Sequence, residues 1–463
     1  MVESPQQIQE AVRFARKHNL RLAVKGAGHC FLGRSTAPES LQISTYRMKD
    51  ITFTDDFVPK GCKKGSQGSA VTLGAGVVLQ ELYKALAAED VIAVAGVSHT
   101  VAAPGGYIQG GGHSPLGHWK GMAADNALEF QVITPKGELV TANEYQHADL
   151  FWALRGGGGG TFGVVASVTI RTFPDPPVVL SSINITTNLD NSDGYWGAIE
   201  KFHKHLPELS EAGASGYYFA VPSVPLPEFG EISALTAAIM FIDQSDQKAV
   251  DKLFNPLIEA VKKMDNVTIS YSSIFSPKAK LVLAELMPEG QSDDTGGIVA
   301  IGSRLISHDF LASPDGPAKL SEALSKLDFD PGAVITGHLV AGGQVAKNGG
   351  KVDSALNPAW RKTLSHITFG HSWPSNTSFE EQKKIHEKIT NVELPLLKAL
   401  EPDMGAYLNE ADSYEADFQE SFWGDNYQRL YEFKQKWDPS GLFITRRGVG
   451  SEDWDEDGLC RIH

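Results

Sequence analysis

The chain has 463 residues, 42% of them hydrophobic, more than one compact core usually accommodates, so two domains sharing an extended interface are expected. Its 41 basic and 56 acidic side chains give a formal charge of -15, a poor match for a polyanion, which sets nucleic acid aside as a partner and leaves solubility as the simple account of the acidity. No stretch approaches an uncharged apolar run of about 20 residues, so no span of a membrane is expected.

Cys30, Cys62 and Cys460 have neither CxxC nor Cys/His spacing, which argues against a structural metal site or a disulfide-dense scaffold. One disulfide with one free thiol stays open. Sequons at Asn184, Asn266 and Asn376 suit a secreted glycoprotein. Against that, Ser4 and Pro5 open an amphipathic helix almost at once after Met1, with no signal segment ahead of it. The expected location is the secretory route if the amino end is truncated and the cytoplasm otherwise.

Ser4 as N-cap and Pro5 as first helical residue, with Ile8, Ala11, Val12 and Ala15 at helical spacing, predict a helix ending near Asn19. A strand over 21–25 follows and runs into the turn Gly26-Ala27-Gly28-His29. Leu79, Leu82, Tyr83 and Leu86 form one apolar helix face, and 91–94 reads as a buried strand. A short helix over 149–155 precedes the glycine run 156–160, and 162–170 reads as a strand. Phe173-Pro174-Asp175-Pro176-Pro177 breaks regular structure and marks a domain boundary. Beyond it, strands such as 232–242 and 267–271 alternate with helices such as 247–263 and 380–400, the pattern of an α+β domain with a largely antiparallel sheet. In the tail, Asn426-Tyr427 precedes a helix that stops at Asp438-Pro439.

Glycine lets backbone approach a ligand and point several N–H groups at a phosphate. Three glycine-dense regions occur in the first half of the chain: 26–28, 105–112 and 156–160. Any one of them could be a tight turn; three, separated by helix and strand signals, point to an extended polyphosphate ligand. Neither a GxxxxGKS/T loop nor a GxGxxG turn with a following acidic ribose ligand is present, which disfavours the common nucleotide folds.

Lys25-Gly26-Ala27-Gly28-His29-Cys30-Phe31-Leu32-Gly33-Arg34-Ser35-Thr36, Gly105-Gly106-Tyr107-Ile108-Gln109-Gly110-Gly111-Gly112-His113, Ala123-Ala124-Asp125-Asn126 and Asn426-Tyr427-Gln428-Arg429-Leu430 resemble the berberine-bridge-enzyme-like branch of the vanillyl-alcohol-oxidase flavoproteins. The glycine run 156–160 and the tail Gly448-Val449-Gly450-Ser451-Glu452-Asp453-Trp454 resemble its fungal members. Members of the branch usually begin earlier than Met1. The resemblance implies an α+β fold: a two-lobed, PCMH-type FAD-binding domain (1–176), a substrate domain (177–400) and a C-terminal segment (401–463) returning to the flavin. It implies an FAD-dependent oxidase, acting as a monomer, that passes a hydride from an alcohol, a sugar or a secondary-metabolite intermediate to FAD, with O2 as acceptor and hydrogen peroxide as product. A dehydrogenase or non-redox cyclase of the same fold is the alternative.

By position, His29 matches the histidine bonded to the flavin 8α-methyl group. The second anchor of many relatives, a cysteine, is replaced by Ser98 in Ser98-His99-Thr100-Val101, so a single covalent bond is expected. Val101 matches a position where a small side chain admits O2. The remaining FAD contacts implied are Lys25, Gly26, Ala27, Gly28, Arg34, Ser35, Ser98, Thr100, Gly105, Gly106, Gln109, Gly110, Gly111, His113, Gly163, Val165, Asn426 and Tyr427. The catalytic base is less legible. His366, on the strand expected after Arg361, is the first candidate and Glu410 the second. Against each stands a bland reading, a satisfied strand histidine and an ion-pair partner. A metal on His113 and His118 is rejected, because no carboxylate or cysteine sits at matching spacing.

Overall fold

The computed structural model describes residues 1–226, 230–287, 293 and 298–462. The first helix, Pro5–Lys17, begins where its residues dictate: the Ser4 side chain accepts from the Gln7 backbone N–H, Pro5 occupies the first turn, and Ile8, Val12 and Ala15 are buried. Strand β1 (Arg21–Lys25) then pairs in parallel with β2 (Ser40–Ser44) to form the first small lobe. The second lobe is a five-stranded antiparallel sheet of β3 (Ile51–Thr54), β4 (Ala70–Gly74), β6 (Ala127–Ile133), β7 (Leu139–Ala142) and β8 (Val164–Arg171), ordered β3-β4-β8-β6-β7. The strand expected over 91–94 is confined to β5 (Val91–Ile92). It pairs only with β9 (Phe173–Pro174), and Pro174 has no N–H with which to extend the ladder.

At Val178 the chain enters a second, seven-stranded antiparallel sheet: β10 (Val178–Asn188), β11 (Ala214–Leu226), β12 (Gly230–Ile242), β13 (Val267–Ser276), β14 (Val299–Ser307), β15 (Ile335–Leu339) and β16 (Thr363–Ser372). Their order is β13-β10-β12-β11-β15-β16-β14. Helices Ser192–Glu211, Gln247–Lys262 and Gly316–Ser325 cover one face and bury Phe202, Phe254, Leu320 and Tyr218 against it. The other face turns toward the two lobes. The fold is therefore α+β, with mainly antiparallel sheets. The helix expected over 380–400 is broken into Phe379–Lys388, a wide π-type turn at Ile389–Glu393 and a short helix Leu394–Lys398, because Pro395 cannot donate to the preceding turn.

The tail returns as helix Tyr427–Trp437. Its buried Lys434 ammonium donates to the carbonyls of Thr161 (2.8 Å) and Phe443 (2.7 Å) and pairs with Asp438 (2.7 Å). The Trp423 indole N–H donates to the Gly156 carbonyl at 3.0 Å, so the tail clamps the third glycine run from behind. A second tie runs from the lobe to the other sheet. Arg361 makes two hydrogen bonds, 2.7 and 2.8 Å, to the buried carboxylate of Asp125, in the motif Ala123–Asn126. All three cysteines are free, so the disulfide left open by the spacing does not form. Among the described residues no helix is long and apolar enough to cross a membrane.

Candidate active site

Between the lobes and the uncovered face of the large sheet lies a cavity of about 650 Å³, within the span of about 300–1,000 Å³ typical of ligand sites. Its floor is where the glycine regions converge. Gly26, Ala27 and Gly28 come from the turn after β1, Gly105 and Gly106 from the second region, and Gly159, Gly160 and Gly163 from the third. These loops touch backbone to backbone: a Cβ on Gly159 would stand 2.9 Å from the Gly106 Cα. The Gln109 carbonyl accepts from both Gly156 and Gly158 N–H at 3.0 Å, binding the third region to the second.

The cavity brings together most of the residues implied by the resemblance. Gly26, Ala27, Gly28, His29, Arg34, Ser35, Ser98, Val101, Gly105, Gly106, Gln109, His113, Gly163, Val165 and Glu410 line it. Others stand outside its wall. Lys25 ends β1, and its carbonyl accepts from the Thr45 N–H. Gly110 and Gly111 serve packing, since a Cβ would meet the Asn409 amide at 2.4 Å and the Leu356 side chain at 2.5 Å. Asn426 donates to the Leu356 carbonyl at 2.8 Å, and the Tyr427 hydroxyl bonds Glu452, so both brace the tail rather than close the cavity. Thr100 reaches the site through His29 and Asp293. His366 is fully buried behind the wall.

His29 is half-buried, and its Nε2 lies 2.7 Å from the Thr100 hydroxyl. That hydroxyl also lies 3.4 Å from the Asp293 carbonyl; with its one proton donated there, it accepts from a His29 ring protonated on Nε2, which leaves the lone pair on Nδ1. Burial lowers the His29 pKa, opposed by Asp293, which keeps the ring a neutral nucleophile. Asp293 also accepts from the Ser98 hydroxyl (2.7 Å) and the Thr100 N–H (3.3 Å), which organises the segment Ser98-His99-Thr100.

The roof follows from register. Tyr217 on β11 faces His338 on β15, which faces His366 on β16; one step along, Phe219, Thr336 and Thr368 form a second row. Successive side chains of a strand alternate faces, so these rows point at the lobes while Tyr218 and Ile367 point at the helices. From the floor, His113 rises into the same space, its carbonyl held by the Tyr107 hydroxyl at 2.9 Å. Glu410 joins from a turn closed by its N–H on the Tyr407 carbonyl. His113 Nε2 is 3.1 Å from Glu410 Oε1, and His366 Nδ1 is 3.6 Å from Glu410 Oε2.

Glu410 is 25% exposed, and that exposure is to the cavity. Burial pushes its carboxyl up, but His113, by charge and hydrogen bond, together with His338 and His366 outweighs this and holds it well below the usual carboxylate range. Burial depresses His338 to about 4, and His366 further below its ordinary value. Tyr217 and Tyr407 are pushed up by burial and stay protonated. Burial thus favours neutral His338 and His366 and protonated phenols, while the contact with His113 favours an ionised Glu410.

His338, Tyr217, Asn409 and Asp293 are site residues that the sequence reading did not single out. The first two carry a signal in retrospect, polar or aromatic residues at every second position of β11 and β15. The metal argument also changes. His118 lies apart, packed against Gly342 and Gly343, but a carboxylate does reach His113, together with two further histidines, from elements far away in sequence. Spacing along the chain was the wrong measure.

The family models described as FAD binding domain and as berberine and berberine like match residues 1–143 and 406–450. Among curated proteins, an uncharacterized FAD-linked oxidoreductase of Arthroderma benhamiae is 52% identical over all of this chain and 78% of its own length. The flavin-dependent oxygenase ucdF of Aspergillus ustus is 42% identical over all of this chain and 83% of its own. The chain belongs to the berberine-bridge-like FAD-linked oxidoreductases. A VAO-type flavoprotein of Myceliophthora thermophila C1 superposes on this oxidoreductase with a TM-score of 0.90 at 32% identity, over 98% of this chain and 80% of that one.

The residues present fit FAD. Backbone glycines leave room at the floor, and the buried Arg34 Nη1 and Gln109 Oε1, a donor and an acceptor at the wall, have no partner in the protein among the described residues. FAD supplies this oxidoreductase with a two-electron acceptor.

Proposed function

We propose that the oxidoreductase is an oxidase for a small organic donor bearing a hydroxyl group, such as an alcohol, a sugar or a secondary-metabolite intermediate. The donor gives up a hydride and a proton, and O2 receives two electrons and two protons as hydrogen peroxide. The observation that carries this reading is Glu410, a carboxylate on the cavity wall held by a hydrogen bond from His113. Its Oε1 is engaged by His113, so Oε2 is the atom that accepts the donor's hydroxyl proton. His338 shares the cavity wall with it and His366 packs behind, and Tyr217, Phe219 and Ile301 give the donor an apolar wall. His366 is thus a positioning residue, and the base moves to Glu410.

His29 is read as the single covalent anchor, through Nδ1, since Ser98 offers no thiolate. Val101, on the cavity wall, leaves the space through which O2 reaches the site. The name of the Aspergillus ustus relative, a flavin-dependent oxygenase, supports use of O2. Exposure of Asn184, Asn266 and Asn376 supports a glycoprotein of the secretory route.

The test is an absorbance spectrum, acid precipitation, and a donor screen read by a peroxidase-coupled dye. Yellow colour in the pellet and peroxide formation with a donor are expected. Colour in the supernatant would overturn the His29 bond. Reduction of an artificial dye without peroxide would identify a dehydrogenase instead.

A further inference from the structure

The side chains that roof the cavity have a second chemical capacity. One ligating atom each from His113, His338, His366 and Glu410 lies within 4.8 Å of the other three. In a tetrahedral zinc site with bonds of about 2.0–2.1 Å, neighbouring ligand atoms stand about 3.3 Å apart. His113 Nε2 stands 3.1 Å from Glu410 Oε1, already a ligand-to-ligand spacing, and the other carboxylate oxygen, Oε2, is 3.6 Å from His366 Nδ1. The ligating atoms, up to 4.8 Å apart, must close by about 1.5 Å to reach that geometry.

Two observations separate this group from an ordinary cluster of core histidines. His338 Nδ1 donates to the His366 carbonyl at 2.9 Å, which fixes the tautomer and leaves Nε2 with its lone pair. Histidines that bind metal nearly always have such an outer partner for the other ring nitrogen. Both ring nitrogens of His366 and Nδ1 of His113 are buried without a hydrogen-bond partner, although buried polar atoms are normally paired. Burial keeps His338 and His366 neutral and Glu410 is held below the usual carboxylate range, so these three are in their ligating forms, and His113 joins them on releasing the proton that its Nε2 donates to Glu410.

We propose that His113, His338, His366 and Glu410 form a binding site for one divalent transition-metal ion of the zinc class on the substrate side of the flavin cavity. Three imidazoles and one carboxylate, with no sulfur, suit zinc and its first-row neighbours and disfavour magnesium and calcium, which take oxygen ligands. The site uses the carboxylate read above as the proton acceptor, so it rests on that assignment of side chains but not on oxidase chemistry. A metal-bound Glu410 cannot accept a proton, and zinc is therefore an inhibitor of turnover.

The test titrates zinc sulfate into holoprotein that has been stripped with EDTA and freed of the chelator, against a chromogenic zinc indicator. The wild type takes up one equivalent ahead of the indicator. His338→Gln and Glu410→Gln each weaken uptake by about tenfold or more, and His18→Gln, at an exposed histidine, leaves it unchanged. Flavin absorbance and thermal melts report whether each variant is folded. Should either variant fail to fold, cobalt(II) bound to the wild type provides a second measurement, its visible spectrum reading tetrahedral nitrogen and oxygen ligation. No stoichiometric uptake by the wild type, uptake unchanged in both folded variants, or a cobalt spectrum of a hexaaqua-like ion would each overturn the site. Peroxide formation without zinc uptake would remove this proposal alone, and zinc uptake without peroxide formation would remove only the oxidase reading.

Discussion

Thr100→Val keeps the shape of the side chain and deletes the hydroxyl that accepts from His29 Nε2. With its own proton directed at the Asp293 carbonyl, Thr100 would hold the ring in the tautomer whose Nδ1 is free to attack. A neutral hydrogen bond of this kind contributes about 0.5–1.5 kcal/mol, which is about a 2- to 13-fold preference for that tautomer. Covalent attachment should slow by the same factor and reach the same end point. The assay adds FAD to protein prepared without flavin and follows the flavin retained in the acid-precipitated pellet over time. His29→Ala should retain none. A Thr100→Val rate equal to wild type would refute tautomer control, and retention by His29→Ala would refute the anchor itself.

Glu410→Gln should lower kcat about 10²- to 10⁴-fold on any donor that the peroxide screen identifies, with the flavin spectrum unchanged; a rate within threefold of wild type would show that another group takes the proton. Gly159→Ala places a Cβ 2.9 Å from the Gly106 Cα, backbone on both sides, so the loops must part at about 1–3 kcal/mol. On a His29→Ala background, FAD dissociation measured by fluorescence should rise accordingly, and unaltered affinity would mean that the contact is not limiting. Burial depresses His203 to about 4, opposed by its bond to the Ile199 carbonyl, whereas an unfolded histidine titrates near about 6.5. The unfolded chain thus binds more protons between those values, and stability falls as pH falls through that window, by about 2 kcal/mol from pH 7 to pH 5. The corresponding drop in Tm should shrink in His203→Gln; an equal drop in both proteins would count against the assignment.

Much of what the chain reveals in sequence is local chemistry. The Ser4 cap, the Pro5 start and the apolar face of Ile8 and Val12 specify the first helix without reference to any other part of the molecule. Glycine density marks the loops that form the cavity floor, because the need for backbone room is a property of each loop by itself. His29 is legible through its motif for the same reason. What the motif does not contain is Asp293, 193 residues beyond Thr100, whose carbonyl lies within reach of the Thr100 hydroxyl that meets His29.

The roof was decided by the tertiary structure. His113 and Glu410 are 297 positions apart, and His338 meets His366 only through the register of β15 against β16. On β16 both faces are buried along most of the strand, so the alternation that would tell a cavity-facing residue from a helix-facing one is absent from the pattern of hydrophobicity. That is why His366, on the right strand and the right face, stands behind the wall, while Glu410, on an irregular segment with no periodicity to read, reaches the cavity. Local propensities determined the elements and the glycine floor; long-range pairing determined which polar atoms meet, because their separation depends on sheet register and not on distance along the chain.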